Sequence, residues 1–265
     1  MLKHFSFGLS AACLLSGCGG SDGASGTGPS KTELSVTLGG AYDPYPHQDK
    51  YSGQTAEGVT AGVRSLKLID AAGGEWTLMD ATPGNVSVSY AAGASSILAV
   101  ISPADVHPGH YTKGRLVQDW SRFDVNATLH EPGLDVAGKL HALQVTSDGA
   151  LVDGSNLEQG HYDQTFSAPN VERPYTGTAL IPDHSATAEA EAFDENGEWA
   201  VYFPLDLEVP AEATGTLAIR VNLDQAYRWS DLGSAGFTPG TYDIAPPIYE
   251  PVEQFGGNRF DVSLK

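Results

Sequence analysis

Beyond residue 18 the chain has no cysteine: Cys13 and Cys18 are the only two in 265 residues. No disulfide can staple the body of the protein, and its stability has to come from burial. Basic residues are scarce as well. Lys and Arg number 14 against 33 Asp and Glu, a formal net charge of −19 at pH 7. A surface this acidic repels phosphate backbones and anionic headgroups, which argues against nucleic acid as a partner and is compatible with cations, calcium above all. Short catalytic motifs are missing too. There is no Gly-x-Ser-x-Gly elbow, no phosphate-cradling glycine loop and no dinucleotide fingerprint. The stretch from His130 lacks the second histidine of a zinc protease, and Pro132 would break the helix such a site needs. Helix-period runs are nearly absent, and one short helix is expected around Asp224 to Gly233.

What is present begins with a leader. "MLKHFSFGLSAACLLSGC" sets Lys3 before an apolar run, Phe5 to Leu15, and small residues ahead of Cys18. The run is too short to cross a bilayer and has the layout of a secretory signal peptide, residues 1–17. Leu15, Ser16, Gly17 and Cys18 resemble the lipobox of bacterial lipoproteins. That resemblance implies acylation of Cys18 as the first mature residue, and two or more acyl chains give stable attachment to a membrane. Gly rather than Asp at position 19 implies, by the enteric sorting rule, an outer-membrane protein facing the periplasm or the cell surface. Residues 18–31 are rich in Gly and Ser, a tether whose ends lie roughly 20 Å apart by square-root scaling.

The body reads as short strands. "ELSVTL", "GVRSLKLI", "SILAVI", "LHALQV", "EWAVYFPLDLEV" and "TLAIRVNL" are rich in β-branched and aromatic residues and are punctuated by Gly, Pro, Asp and Asn. This predicts an all-β, antiparallel β-sandwich. His130 to Gly138 is the best break, giving two sandwich lobes, 32–130 and 137–265, with one larger sandwich as the alternative. Asn196-Gly197 predicts a type I′ hairpin; Asp148-Gly149 and Asp153-Gly154 are further turns. Glu189 and Glu191 share a strand face and read as solvated rather than as an acid/base pair.

A Gly-x-Tyr motif recurs at Gly109-Tyr111, Gly160-Tyr162 and Gly240-Tyr242. The glycine suits a turn, the tyrosine starts a strand with its ring inward, and His110 and His161 fall on the opposite face. Pro108, Gly109, Tyr111, Arg115 and Leu116, after a first strand at Leu34 to Leu38 and a Trp76 strand, resemble a strand of uncharacterised bacterial lipoprotein domains. That resemblance implies a β-sandwich and no particular activity.

Candidate ligands follow from residue type. His107 and His110 flank a tight turn beside Asp105, and with His161 they form a candidate copper or zinc set. His47 with Asp43 and Asp49 is a second group. Asp194 to Glu198 clusters oxygen donors for calcium but lacks the spacing of an EF-hand loop. Trp120 and Trp229, each beside Arg and Asp just beyond a strand, read as core plugs at strand ends, with stacking on a sugar ring as the alternative. The function expected is a lipid-anchored, non-catalytic binding or scaffolding protein, with an envelope protein or glycan as partner. Periplasmic metal binding and carbohydrate binding are the alternatives.

Overall fold

The computed structural model describes residues 32–183, 190–233 and 236–265. The leader, Cys18, the tether and Glu189 lie outside the described residues. In chain order the strands are β1 (Leu34–Ala41), β2 (Ser52–Gln54), β3 (Glu57–Asp70), β4 (Glu75–Asp80), β5 (Val86–Ser89), β6 (Ser95–Ile101) and β7 (Gly109–Glu131). They continue with β8 (Leu134–Val145), β9 (Ala150–Val152), β10 (Ser155–Leu157), β11 (His161–Ala168), β12 (Val171–Thr178), β13 (Glu191–Glu195) and β14 (Glu198–Val209). The last are β15 (Gly215–Asn222), β16 (Tyr227–Trp229), β17 (Asp243–Ala245), β18 (Ile248–Tyr249), β19 (Val252–Gln254) and β20 (Arg259–Leu264). Among the described residues the sole helical element is a 3-10 turn, Pro103–Asp105. The all-β expectation is met.

Two sheets make the sandwich. A four-stranded sheet runs β20-β15-β1-β6, with β1 and β15 parallel and the other pairs antiparallel. An 11-stranded sheet follows the path β12-β11-β8-β7-β14-β13 and carries β3, β4, β5, β17 and β18 beside it. Val36, Leu38, Leu217 and Ile219 of the first sheet and Leu66, Leu116, Leu140, Phe166 and Phe203 of the second share one buried cluster. Phe203 stacks on Phe260 across the sheets at 4.2 Å. In β1, Gly39 and Gly40 are needed for room: a Cβ there would stand 1.9 Å from the Ala94 carbonyl oxygen and 1.8 Å from that of Tyr90.

The two-lobe division is corrected. The expected break falls inside the β7–β8 hairpin, where His130 pairs with Asp135 and Glu131 with Leu134. Both sheets draw strands from both halves, most directly through β1 beside β15. The Pro-Gly pair that suggested a linker is a turn instead. The helix expected at Asp224 to Gly233 is also absent. Gln225 takes φ 46°, and Tyr227–Trp229 is a strand between β2 and β19, with all three side chains buried.

The longest strand, β7, changes face in its middle. Gly114 packs on the Phe203 ring, and Leu116 and Gln118 face Val221 and Leu223 of the other sheet. After Asp119 the inward residues are odd-numbered: Phe123, Val125, Ala127 and Leu129. The pairing with β3 is irregular here, since Val63 pairs with Gln118 and Gly62 with Trp120, which leaves Asp119 extra. Arg64 is likewise skipped on β3. These two bulged residues meet: Arg64 Nε lies 2.8 Å from Asp119 Oδ1, with the Asp119 side chain fully buried. Asn85 Nδ2 donates to the other oxygen at 2.9 Å. Burial pushes the Asp119 carboxyl up, against the pull of Asn85 and Arg64.

A buried charge left alone is costly, so Asp119→Ala is expected to lower unfolding free energy by about 3–5 kcal/mol. Glu75→Ala, which breaks the exposed Lys67 pair, is expected to cost about 0–1 kcal/mol. Urea denaturation of both variants checks the contrast, and equal losses would refute the role given to the bulge pair.

Candidate functional site

The outer face of the large sheet collects polar residues by simple alternation. Beyond the bulge the even-numbered residues of β7 point out, and register sets their neighbours: Asp124 pairs with His141 on β8, and His141 with Thr165 on β11. Ser167 lies two residues further along β11, on the same face. The diagonal is within reach of an imidazole. His141 Nδ1 lies 2.7 Å from Asp124 Oδ1, and Nε2 lies 2.7 Å from Ser167 Oγ. A carboxylate only accepts, so Nδ1 carries the proton and donates to Asp124. In the neutral ring Nε2 is then the acceptor for the Ser167 hydroxyl.

Beside this trio lies a shallow groove of about 400 Å³, bordered by Gly58, Thr60, Arg122, Leu143 and Asp163. Arg122 is ion-paired with Asp153 and sits 5.3 Å from the Trp120 ring centre. Lys139, opposite Ser167 in register, bonds Glu57 at 2.6 Å. Further along β7, His130 lies between two carboxylates, Asp135 at 2.7 Å from Nδ1 and buried Asp243 at 3.0 Å from Nε2. Both nitrogens need protons there. Burial works against the charged ring, but hydrogen bonds to Asp243 and Asp135 outweigh it and raise the His130 pKa above 6.5. Asp243 N–H donates in turn to Glu250, whose carboxyl burial pushes up.

The structure disperses the expected metal ligands. His107 stacks on Trp76, and its carbonyl accepts from the Tyr111 hydroxyl. His110 points out to Asp206 at 2.6 Å, a contact that raises its pKa, while Asp105 stays exposed on the 3-10 turn. His161 bonds Asp163. Its neighbour Tyr162 is level with Gln144, and Gln144 with Ser121, so His161 lies about ten residues along β7 from His110, roughly 30 Å at about 3.3 Å per residue. In the second group His47 and Asp49 do come together, His47 Nδ1 lying 3.9 Å from Asp49 Oδ2, but His47 Nε2 meets the Asp224 carbonyl, Asp49 is held by Arg228 and Asp43 by Arg220. In the expected calcium turn, Asp194 accepts the Gly197 N–H, and Glu195 and Glu198 hold Arg115. Among the described residues no group of three or more His, Cys, Asp or Glu is arranged to hold a metal ion.

The tryptophans are buried. Trp229 is 1% exposed in the main core, and Trp120 is 6% exposed under the β9–β10 hairpin with Leu143, Val145, Ala150 and Val152. Neither offers a free face for a sugar ring; both are core side chains with their indole N–H satisfied, by Asn85 for Trp120 and by Asp231 for Trp229.

No family model, no curated protein and no solved structure matches this chain. The trio on β7, β8 and β11 therefore stands on its geometry. Sequence reasoning passed it over because its members are 17 and 26 residues apart and carry no local motif. The one signal available was alternation, which puts Asp124, His141 and Ser167 on the polar phase of three strands.

His130 gives a pH prediction. Its folded pKa lies above its unfolded one, so its stabilising contribution is full below about pH 6.5 and fades as pH rises through the folded value. Wild type is expected to exceed His130→Gln in stability by about 1–3 kcal/mol at pH 5.5, and by less at pH 9. A difference that stays constant or grows with pH, measured by urea denaturation, would rule out the charged ring.

Proposed function

We propose that this chain is an envelope lipoprotein, held to the outer membrane through acyl groups on Cys18, whose β-sandwich engages a protein or glycan partner at the cell surface or in the periplasm. One observation carries the reading: Cys18 follows Leu15-Ser16-Gly17 at the end of a basic-then-apolar leader, and no cysteine follows it. Its position suits lipidation better than a disulfide, because the one other thiol, Cys13, lies inside the leader. The Gly/Ser-rich segment before β1 supports the same reading, since a flexible tether lets a folded body turn freely near a lipid surface. Net acidity favours a partner that is neutral or basic over one that is anionic.

Intact-mass spectrometry of the protein extracted from membranes checks the anchor. The expected species begins at Cys18 and carries a thioether-linked diacylglycerol with a further acyl chain, and Cys18→Ala gives no acylated species. A mature protein that begins elsewhere and bears no lipid would refute the anchor.

A further inference from the structure

We infer that Asp124, His141 and Ser167 form a hydrolytic site, with Ser167 as nucleophile, acting on short acyl esters of large polar alcohols. The inference goes beyond the binding role and does not depend on the lipid anchor. It starts from a contrast among the histidines. His110 and His161 each meet a carboxylate through Nε2, and His130 has carboxylates on both ring nitrogens. His141 has a carboxylate on Nδ1 and a hydroxyl on Nε2, both at 2.7 Å. A carboxylate partner accounts for the first three. In the fourth, the carboxylate fixes the tautomer that leaves Nε2 basic and aimed at a serine oxygen, the order a nucleophile, its base and an orienting acid require.

The chemistry balances without a cofactor. Ser167 Oγ attacks the ester carbonyl carbon as its proton passes to His141 Nε2. The imidazolium, held by Asp124, gives that proton to the departing alkoxide, leaving an acyl-serine and a free alcohol. Water then attacks the acyl carbon and gives a proton to His141, which returns it to Ser167 Oγ as the carboxylic acid leaves. Ester and water become acid and alcohol.

The surroundings set the substrate class. The His141 side chain is 45% exposed and Asp124 36%, so the face is open and the alcohol part of the ester is unconfined. Leu143 is the one apolar side chain that faces the groove, while Phe123 and Ala142 turn inward to the core. Little apolar surface is available for a long acyl chain. Hydroxyl and charged groups at Thr60, Arg122 and Asp163 line the rest. A short acyl group on a carbohydrate hydroxyl, such as an acetyl ester of a glycan, fits this face.

The test uses the full-length protein in detergent. A fluorophosphonate probe is expected to label Ser167, read by peptide mass spectrometry, and labelling is expected to fall in His141→Gln and Asp124→Asn. Hydrolysis of p-nitrophenyl acetate is expected to drop at least about 10-fold in Ser167→Ala and in His141→Gln, because general-base help contributes about 10²–10⁴-fold. Unchanged melting temperatures separate loss of chemistry from loss of fold; Asp124→Asn serves if His141→Gln does not fold. Acetate release from acetylated xylan reports the glycan-ester class. Labelling of Ser167 no greater than that of exposed Ser95, or labelling and hydrolysis that survive the His141 change, would overturn the site. Faster turnover of p-nitrophenyl octanoate than of acetate would overturn the short-acyl assignment.

Discussion

The contact on which the rest of the fold depends is the ion pair between Arg64 and Asp119. Each residue is the extra one in its strand, and together they fill the place where β3 and β7 lose register. A bulge of this kind re-aims every side chain beyond it, because the period along a strand is two. From Gly114 to Gln118 the even-numbered residues of β7 face the core; after Asp119 the odd-numbered ones do. Without the bulge, Phe123, Val125 and Leu129 would face solvent and Asp124 would face the core. A costly buried charge is retained because it lets one 23-residue strand serve both ends of the sandwich.

That dependence explains what was legible in the sequence. Strands with alternation, such as β8, β14 and β15, are visible as patterns, as is the turn at Asn196 and Gly197, both in left-handed conformations. The Gly-x-Tyr motif was legible in two of its three copies: Tyr111 and Tyr242 are buried, with His110 turned outward, whereas Tyr162 is only half-buried and stands outside the core cluster. Its glycine varies, however, with φ of 83° at Gly160 and 82° at Gly240 but no positive φ at Gly109. The full length of β7 was hidden, because Asp119 and Trp120 interrupt its alternation and read as an end. The division into halves came from Pro132 and Gly133, which read as a linker and are the turn of the β7–β8 hairpin. The helix near Asp224 was a period misread: Ala226, Tyr227 and Trp229 are apolar because a small sheet buries them on more than one side.

Electrostatics follow the same logic. In a chain with so large an acidic excess, cations are the scarce partner, and many act as cross-strand ties. Arg115 bridges β7 to Glu195 and Glu198 at the β13–β14 turn, Arg173 ties β12 to Glu131, and Lys139 reaches from β8 past β7 to Glu57. The two exposed ties, of Arg173 and Lys139, add little stability individually, whereas the Arg115 guanidinium is buried and would be costly to leave unpaired. Their greater effect is on register, since a slipped strand would set like charges opposite each other in a protein that already repels itself.

Histidine then becomes the supplementary cation. Where both ring nitrogens meet carboxylates, as at His130, the ring is held charged and acts as a tie like any arginine. Where the second nitrogen meets a hydroxyl, as at His141, protonation would cost the acceptor role toward Ser167, and the same sheet face acquires a base instead. The difference between a structural and a reactive histidine in this fold is thus one cross-strand neighbour, Ser167 in place of a second acid. Register decides it. A one-residue slip of β11 against β8 would turn Ser167 to the opposite face, and a two-residue slip would set Thr165 or Pro169 in its place. The site therefore belongs to the pairing of three strands rather than to any one of them, and it stands or falls with the bulge that sets which side of β7 faces out.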